Sequence, residues 1–327
     1  MGAYTKQKFL SDIENPAFVR RALQKLKGAL FFDKESERLV PDTELAQKLL
    51  GVAGSSTDPA HRQAALEVFE SMIFVKPTLA TIPDLARQVA RISVTDADTS
   101  VRSTAHDELA RVLENNTEAT SPATEAAMNV LKPYATDPDI RVRFDALHTL
   151  RLFVGRSPGY AQEVLTLADD AATSLNGHVR RAGQAVRAEV LEKKPDLSSA
   201  SLAGDLARAA VADPNDIARD WAREALEVLL NRKPEFGSEA LNEIKRVIFD
   251  PMAPRHQDYE MRRDEQKTLA VIVQASPALK DHVGALVNDG LKDHAVEVRY
   301  AAQEALQPRE SSVRATCPAR YRRGLGC

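Results

Sequence analysis

The stretch Asp137-Pro138-Asp139-Ile140-Arg141-Val142-Arg143-Phe144-Asp145-Ala146-Leu147 decides the fold, because it recurs. Sliding it along the 327 residues finds Asp96-Ala97-Asp98-Thr99-Ser100-Val101-Arg102, followed by Ala105 and Leu109. It finds Asp213-Pro214-Asn215-Asp216-Ile217-Ala218-Arg219 with Ala222 and Leu226, and Asp293-His294-Ala295-Val296-Glu297-Val298-Arg299 with Ala302 and Leu306. Weaker copies surround Val19-Arg20, His61-Arg62, Val179-Arg180 and Met261-Arg262. The aligned arginines are therefore Arg20, Arg62, Arg102, Arg143, Arg180, Arg219, Arg262 and Arg299, spaced 42, 40, 41, 37, 39, 43 and 37 residues apart. Proline falls fifteen residues after the arginine at Pro77, Pro158, Pro195, Pro234 and Pro277, an independent marker of the same register. A period near 40 residues is the signature of a repeat architecture.

The physical content of one unit follows. After the arginine, apolar residues recur at +3, +7 and +10 or +11, as in Ala105, Leu109, Val112 and Leu113. That is the stripe of an amphipathic helix. The aspartate six before the arginine suits a helix N-cap or a tight turn. The proline at +15 suits the first turn of the next helix, where its missing N–H costs nothing, and Ser157-Pro158 and Ser276-Pro277 read as caps followed by proline. Each unit is thus two helices of roughly 12–17 residues. No stretch alternates as a strand would.

Composition sets the outer limits. Lys and Arg number 44 against 47 Asp and Glu, a formal charge of −3, which makes no whole-chain case for binding phosphate. No apolar run approaches the ~20 residues of a membrane span. Residues 1–8 lack a signal-peptide core, and Lys6 breaks the myristoylation pattern. Cys317 and Cys327 both lie in the last eleven residues, so a disulfide framework is excluded. The expectation is a soluble chain in a reducing compartment, cytoplasmic or also nuclear. Charge divides along the chain: residues 1–30 carry +4 and residues 308–327 carry +4, leaving −11 on the repeats between.

A two-helix unit of about 40 residues, with Asp before the turn and Val-Arg opening the second helix, resembles the HEAT-repeat family, with armadillo repeats its near neighbour. The resemblance covers residues 1–308 and implies an all-α, right-handed α-solenoid of about eight two-helix repeats. It further implies one elongated, curved domain with 4–31 as N-terminal cap, 33–41 as a charged linker, and 309–327 as a disordered basic tail. In that family the Asp and Arg form a ladder between neighbouring turns, which implies Asp96/Arg102, Asp137/Arg143, Asp213/Arg219 and Asp293/Arg299 here. Two units depart. One has Ser174 and Gly183 at the Asp and Ala positions; the other has His256 and follows the insert Asp250-Pro251-Met252-Ala253-Pro254. Those two joints are expected to pack differently.

Catalytic and metal constellations are not found. The histidines (His61, His106, His148, His178, His256, His282 and His294) form no pair at metal-ligand spacing, and no cysteine joins them. Iron hydroxylases built from such repeats carry His-Glu dipeptides, which this chain lacks. There is no phosphate loop and no nucleophile elbow; Gly51-Val52-Ala53-Gly54 reads as a helix stop after 44–50. Asp169-Asp170 reads as a solvated face, since adjacent helical residues diverge. No catalytic residue, cofactor or metal is expected.

By the resemblance, the second helix of each unit lines the concave surface. Its solvent positions read Gln63, Glu67 and Glu70; Asp107, Glu108 and Arg111; Asp145, His148 and Arg151; Arg223, Glu224 and Glu227. The surface is mixed and tends to acidic, which repels phosphate and argues against nucleic acid. Trp221, the only tryptophan, lies beside it, either packed or a binding hot spot. The reading is a non-enzymatic scaffold that binds a Lys- or Arg-bearing protein segment, extended or helical. Glu67, Glu70, Asp107, Arg111, His148, Arg151, Trp221, Glu224 and Glu227 carry the contact. The alternatives are a nucleic-acid-binding or base-processing repeat protein, and a lyase or modifying enzyme on the same scaffold.

Overall fold

A computed structural model of the chain describes residues 5–15, 17–31, 41–116, 121–250 and 258–307. The linker at 33–41 (Pro41 apart), the insert at 251–254, His256 and the tail at 309–327 lie outside the described residues. Among the described residues there are sixteen α-helices and no strand. They run in pairs. The first four are α1 (Lys6–Ile13) with α2 (Val19–Phe31), α3 (Thr43–Ser55) with α4 (Pro59–Val75), α5 (Pro83–Thr95) with α6 (Thr99–Glu114), and α7 (Pro122–Ala135) with α8 (Ile140–Arg156). The rest are α9 (Ala161–Ala172) with α10 (Gly177–Lys193), α11 (Ala200–Ala212) with α12 (Asp216–Arg232), α13 (Gly237–Phe249) with α14 (Tyr259–Ala275), and α15 (Lys280–Leu291) with α16 (Val296–Leu306). The recurring arginine is the fourth residue of the second helix in every pair but the first, where Arg20 is the second residue of α2.

The contacts group into two compact units: 1–198 with 213–229, and 199–212 with 230–327. In the first, second helices stack on second helices (α2 on α4, α4 on α6, α6 on α8, α8 on α10), and α3, α5 and α7 form the other layer. In the second, α11 packs on α13 and α14 on α16. The core is the strip between the layers. The stripe is buried in the central units, as in Ala65, Phe69, Met72 and Ile73, or Ala146, Leu150, Phe153 and Val154, while Leu306 on α16 is 40% exposed.

The turn before each second helix divides its work between two polar residues. The N-cap is four before the arginine, not six. Asp98 accepts from the Ser100 and Val101 N–H groups, Asp139 from Arg141 and Val142, and Asn176 from His178 and Val179. The aspartate at −6 instead folds the turn onto itself. Asp96 accepts the Asp98 N–H, Asp213 the Asn215 N–H and Asp293 the Ala295 N–H, at 2.8, 2.8 and 2.9 Å. The arginine reaches back to the same turn: Arg102 Nη1 donates to the Asp96 carbonyl at 2.9 Å, and Arg219 Nη1 to the Asp213 carbonyl at 2.8 Å.

The ladder connects different residues from those implied by the within-unit pairs. Each carboxylate receives the arginine of the preceding unit. Arg62 donates Nε and Nη2 to Asp96, both at 2.8 Å. Arg180 does so to Asp213 at 2.7 and 2.8 Å, and Arg262 to Asp293 at 2.7 and 3.2 Å. Asp137 receives no such arginine; Arg102 stands 2.8 Å from Asp145 on α8 instead. Ser174 offers no carboxylate, so Arg143 turns to Asp170 at 2.8 Å. Asp169 meanwhile takes Arg187 at 2.8 Å, so the Asp169-Asp170 pair, about half exposed as a solvated face is, also anchors two cations. The arginines of the two departing units, Arg180 and Arg262, both make regular rungs.

Three further readings are corrected. The prolines at +15 do not open the next helix; each opens a short 3-10 turn, at Pro77–Thr81, Pro158–Tyr160, Pro195–Leu197, Pro234–Phe236 and Pro277–Leu279. Ser157 and Ser276 make no cap bond, and the Ser276 hydroxyl donates to the Pro234 carbonyl at 2.6 Å. Helix α3 runs through Gly51 and Gly54 to Ser55, because neither glycine adopts the positive φ of a helix stop.

Gly183 has a packing reason. A Cβ there would sit 2.8 Å from the Ala168 carbonyl oxygen and 2.9 Å from the Ala172 nitrogen, so α10 lies against the backbone of α9. Gly183→Ala should lower stability to urea unfolding by about 1–3 kcal/mol. Gly51→Ala, where nothing lies within 4 Å, should raise it by about 0.5–1 kcal/mol. Equal stability of Gly183→Ala and the parent would contradict the close approach.

Candidate protein-binding surface

The second helices of the first unit carry all nine residues singled out for partner binding. Spaced by the helical period, their wall positions meet across neighbouring helices and form a chain of ion pairs. Lys27 on α2 lies 3.4 Å from Glu67 on α4, and Arg111 on α6 lies 2.5 Å from Glu70 on α4. Arg156 on α8 lies 2.8 Å from Glu114 on α6, and Arg151 on α8 lies 3.6 Å from Glu189 on α10. These pairs are partly exposed, and each contributes on the order of 0.2–1 kcal/mol. They neutralise much of the acid on this face. Asp107 and Glu224 remain exposed, with no ion pair among the described residues.

Trp221 is 8% exposed, and the Arg151 guanidinium covers its ring, 4.6 Å from the centroid. Such a cation–π contact is worth ~0.5–2 kcal/mol. Arg151 therefore joins Trp221, Glu189 and the neighbourhood of Glu224 into one group. The Glu224 carboxyl is pushed up by partial desolvation, with Arg151 opposing and Glu227, Glu192 and Glu189 adding to the rise. Glu67, Glu70, Asp107 and Arg111 form a second group on α4 and α6.

Between the groups lies a layer that the sequence reading did not assemble. His106 and His148 stack at 5.3 Å between ring centroids, tilted by 57°. Burial, then His148, then Arg102 push His106 down to about 3. Burial lowers His148 also, with Arg151 and Arg181 adding to it. His148 thus belongs to the wall's underside more than to its open surface. Among the described residues, no group of three or more His, Cys, Asp or Glu is placed to hold a metal ion. No helix among them is long and apolar enough to cross a membrane.

Glu108 is the main correction. It was placed at a solvent position beside Asp107 and Arg111, yet it is 2% exposed and its Oε2 has no hydrogen-bond partner. The helical period explains this: Glu108 shares its face with Ala105 and Val112, both fully buried. Burial, reinforced first by Glu70, pushes its carboxyl up to about 8, with Arg111 opposing and Asp107 and Glu67 adding to the rise. The +3 and +10 positions of the stripe, Ala105 and Val112, already place residue 108 on the core face.

A raised folded-state value has a definite sign. Glu108 holds its proton in the folded chain and releases it near 4.5 when unfolded, so folding loses stability as pH rises from about 4.5 to about 8. Glu108→Gln mimics the protonated acid. It should match the parent near pH 4.5 and exceed it by on the order of 2 kcal/mol at pH 8, read from urea unfolding. Parallel pH profiles for the two proteins would contradict the assignment.

No protein-family model and no curated protein matches the chain. Solved structures resemble it in fold. A crystal structure of Kap121p superposes with a TM-score of 0.63 at 13% identity, over 91% of this chain and 32% of that one. Importin beta, crystallised in an ammonium sulfate condition, gives 0.61 at 16% identity over 92% and 39%. The karyopherin Kap121p bound to the SUMO protease Ulp1p gives 0.57 at 13% identity over 92% and 34%. The chain spans about a third of the length of these proteins, and at such identity the likeness is one of fold.

Proposed function

We propose that this chain, whose fold is the HEAT-repeat α-solenoid, is a non-enzymatic scaffold that binds a basic protein segment along the second-helix face of its first unit. The repeats of 1–308 are taken as one such scaffold. The observation that carries the reading is the charge left over on that face. Glu67, Glu70 and Glu189 are matched by cations, while among the described residues Asp107 and Glu224 are exposed without ion pairs and Glu108 lies beneath with an unpartnered oxygen. A Lys- or Arg-bearing segment would complement these acids, and a phosphate backbone would be repelled by them. Solved complexes of similar fold, Kap121p bound to Ulp1p and Kap121p bound to Pho4p, make protein binding a use this architecture supports. Recognition requires no chemistry from the face, only a preorganised row of side chains on stacked helices. Arg151 over Trp221 places a movable cation on a buried aromatic, where an incoming side chain can replace it.

The test is an array of immobilised peptides, Lys/Arg-rich and Asp/Glu-rich, probed with the full chain at low salt. Basic peptides should be retained and acidic ones not. Combining Asp107→Lys with Glu224→Lys should weaken retention by about tenfold or more, while Asp84→Lys on α5 should leave it unchanged. A 20-base-pair DNA duplex at the same salt should not bind. Retention of the duplex, or indifference to the paired charge reversal, would overturn the reading.

A further inference from the structure

Within the acidic group on α4 and α6, one carboxyl differs in kind from the rest. Glu67, Glu70 and Asp107 reach solvent, and the first two have their own cations. Glu108 is 2% exposed, feels the charge of all three, and presents an oxygen with no partner among the described residues. An unmatched polar atom in a low-dielectric site costs roughly 1–3 kcal/mol, more if ionised, so an intrinsic complement is missing. The cation that opposes its rise, Arg111, is paired with Glu70 and does not bond the Glu108 oxygen. Arg111 is half exposed on a long, flexible stem, so it is free to swing away. A metal ion is a poor complement, because no three ligating groups converge there. A single ammonium group is a good one: a compact point charge with three donors, carried on a thin, flexible stem.

We propose that Glu108 is the floor of a receptor for one lysine side chain of the bound segment, with Glu70 and Asp107 as its rim and Arg111 as the resident cation that the lysine displaces. This rests on the reading of the second-helix face as the binding surface for a basic segment. On docking, the lysine ammonium donates to Glu108 Oε2 and to Glu70, the Glu108 proton leaves to solvent, and Arg111 moves outward to Asp107 or to water. Atoms and charge balance, and nothing else is consumed. The receptor makes one position of the partner specifically lysine, where the rest of the face asks only for positive charge.

Fluorescein-labelled hepta-lysine, titrated into the full chain and followed by anisotropy at pH 7 and low salt, tests this. The proposal expects Glu108→Gln to weaken binding about tenfold. Arg111→Ala should tighten it about threefold or more, because the competing cation is gone. Circular dichroism melts at the same pH establish that both variants are folded. If hepta-lysine binds the parent but Glu108→Gln and Arg111→Ala bind it equally well, the receptor is wrong while the binding face stands. If hepta-lysine does not bind the parent at all, both fall together.

Discussion

A guanidinium held at both ends, as those of Arg62 and Arg180 are, is the constraint on which the regular junctions of the stack depend. In its own turn the arginine ties down a carbonyl six residues back; across the junction it grips the next unit's aspartate with two donors. That aspartate is itself fixed by a backbone N–H two residues on. Three groups with no partner of their own, the carbonyl, the carboxylate and the cation, therefore satisfy one another where the chain turns. Charge-assisted bonds of this kind contribute about 1.5–3 kcal/mol each, and removing one partner from a buried pair costs about 3–5. Apolar stripes alone would let neighbouring helices slide; the bidentate fork does not. Burial alone would raise Asp293, yet the Arg262 bond and the Ala295 N–H outweigh it and hold the carboxyl below its ordinary range. Stability from that rung is present above the ordinary carboxylate value and is lost as pH falls through the lowered one.

The helices that carry the rungs also carry the proposed binding face, and the two roles pull in opposite directions. The ladder places its charges in matched pairs. The face leaves Asp107 and Glu224 unmatched and buries Glu108 with nothing to bond its second oxygen. A protein that only had to be stable would put an apolar residue at 108. The imidazoles of His106, buried, and His148, partly buried, add a second electrostatic cost, of opposite pH sense: both are held below their ordinary value, so acid that charges them in the unfolded chain weakens folding. The first unit is thus penalised on the alkaline side by Glu108 and on the acid side by the histidines.

Much of this architecture is legible in the sequence, since an arginine recurring every 40 residues with a fixed apolar stripe admits few folds. What was not legible has physical causes. The ladder was assigned within units because sequence proximity suggests it, whereas a fork on a long side chain reaches the next turn more easily than its own carboxylate. Asp96 and Asp98 both suit a cap, and only the backbone path shows that the nearer one caps and the farther one folds the turn. Gly183 looked like a weak repeat and is a close helix contact. On the face, Asp107, Glu70, Arg111 and Arg151 were placed correctly on the second helices. Glu108 was not, because a carboxylate invites a solvent assignment even when its period is that of the core.

The account stands or falls on the energy of a rung. A double-mutant cycle on Arg62→Gln and Asp96→Asn, read by urea unfolding of the full chain, measures it directly. The two substitutions should couple by about 1.5–3 kcal/mol, each alone costing nearly as much as both together. Losses that add within about 0.5 kcal/mol would show that the arginine and the aspartate act independently, and that the repeats are held in register by something else.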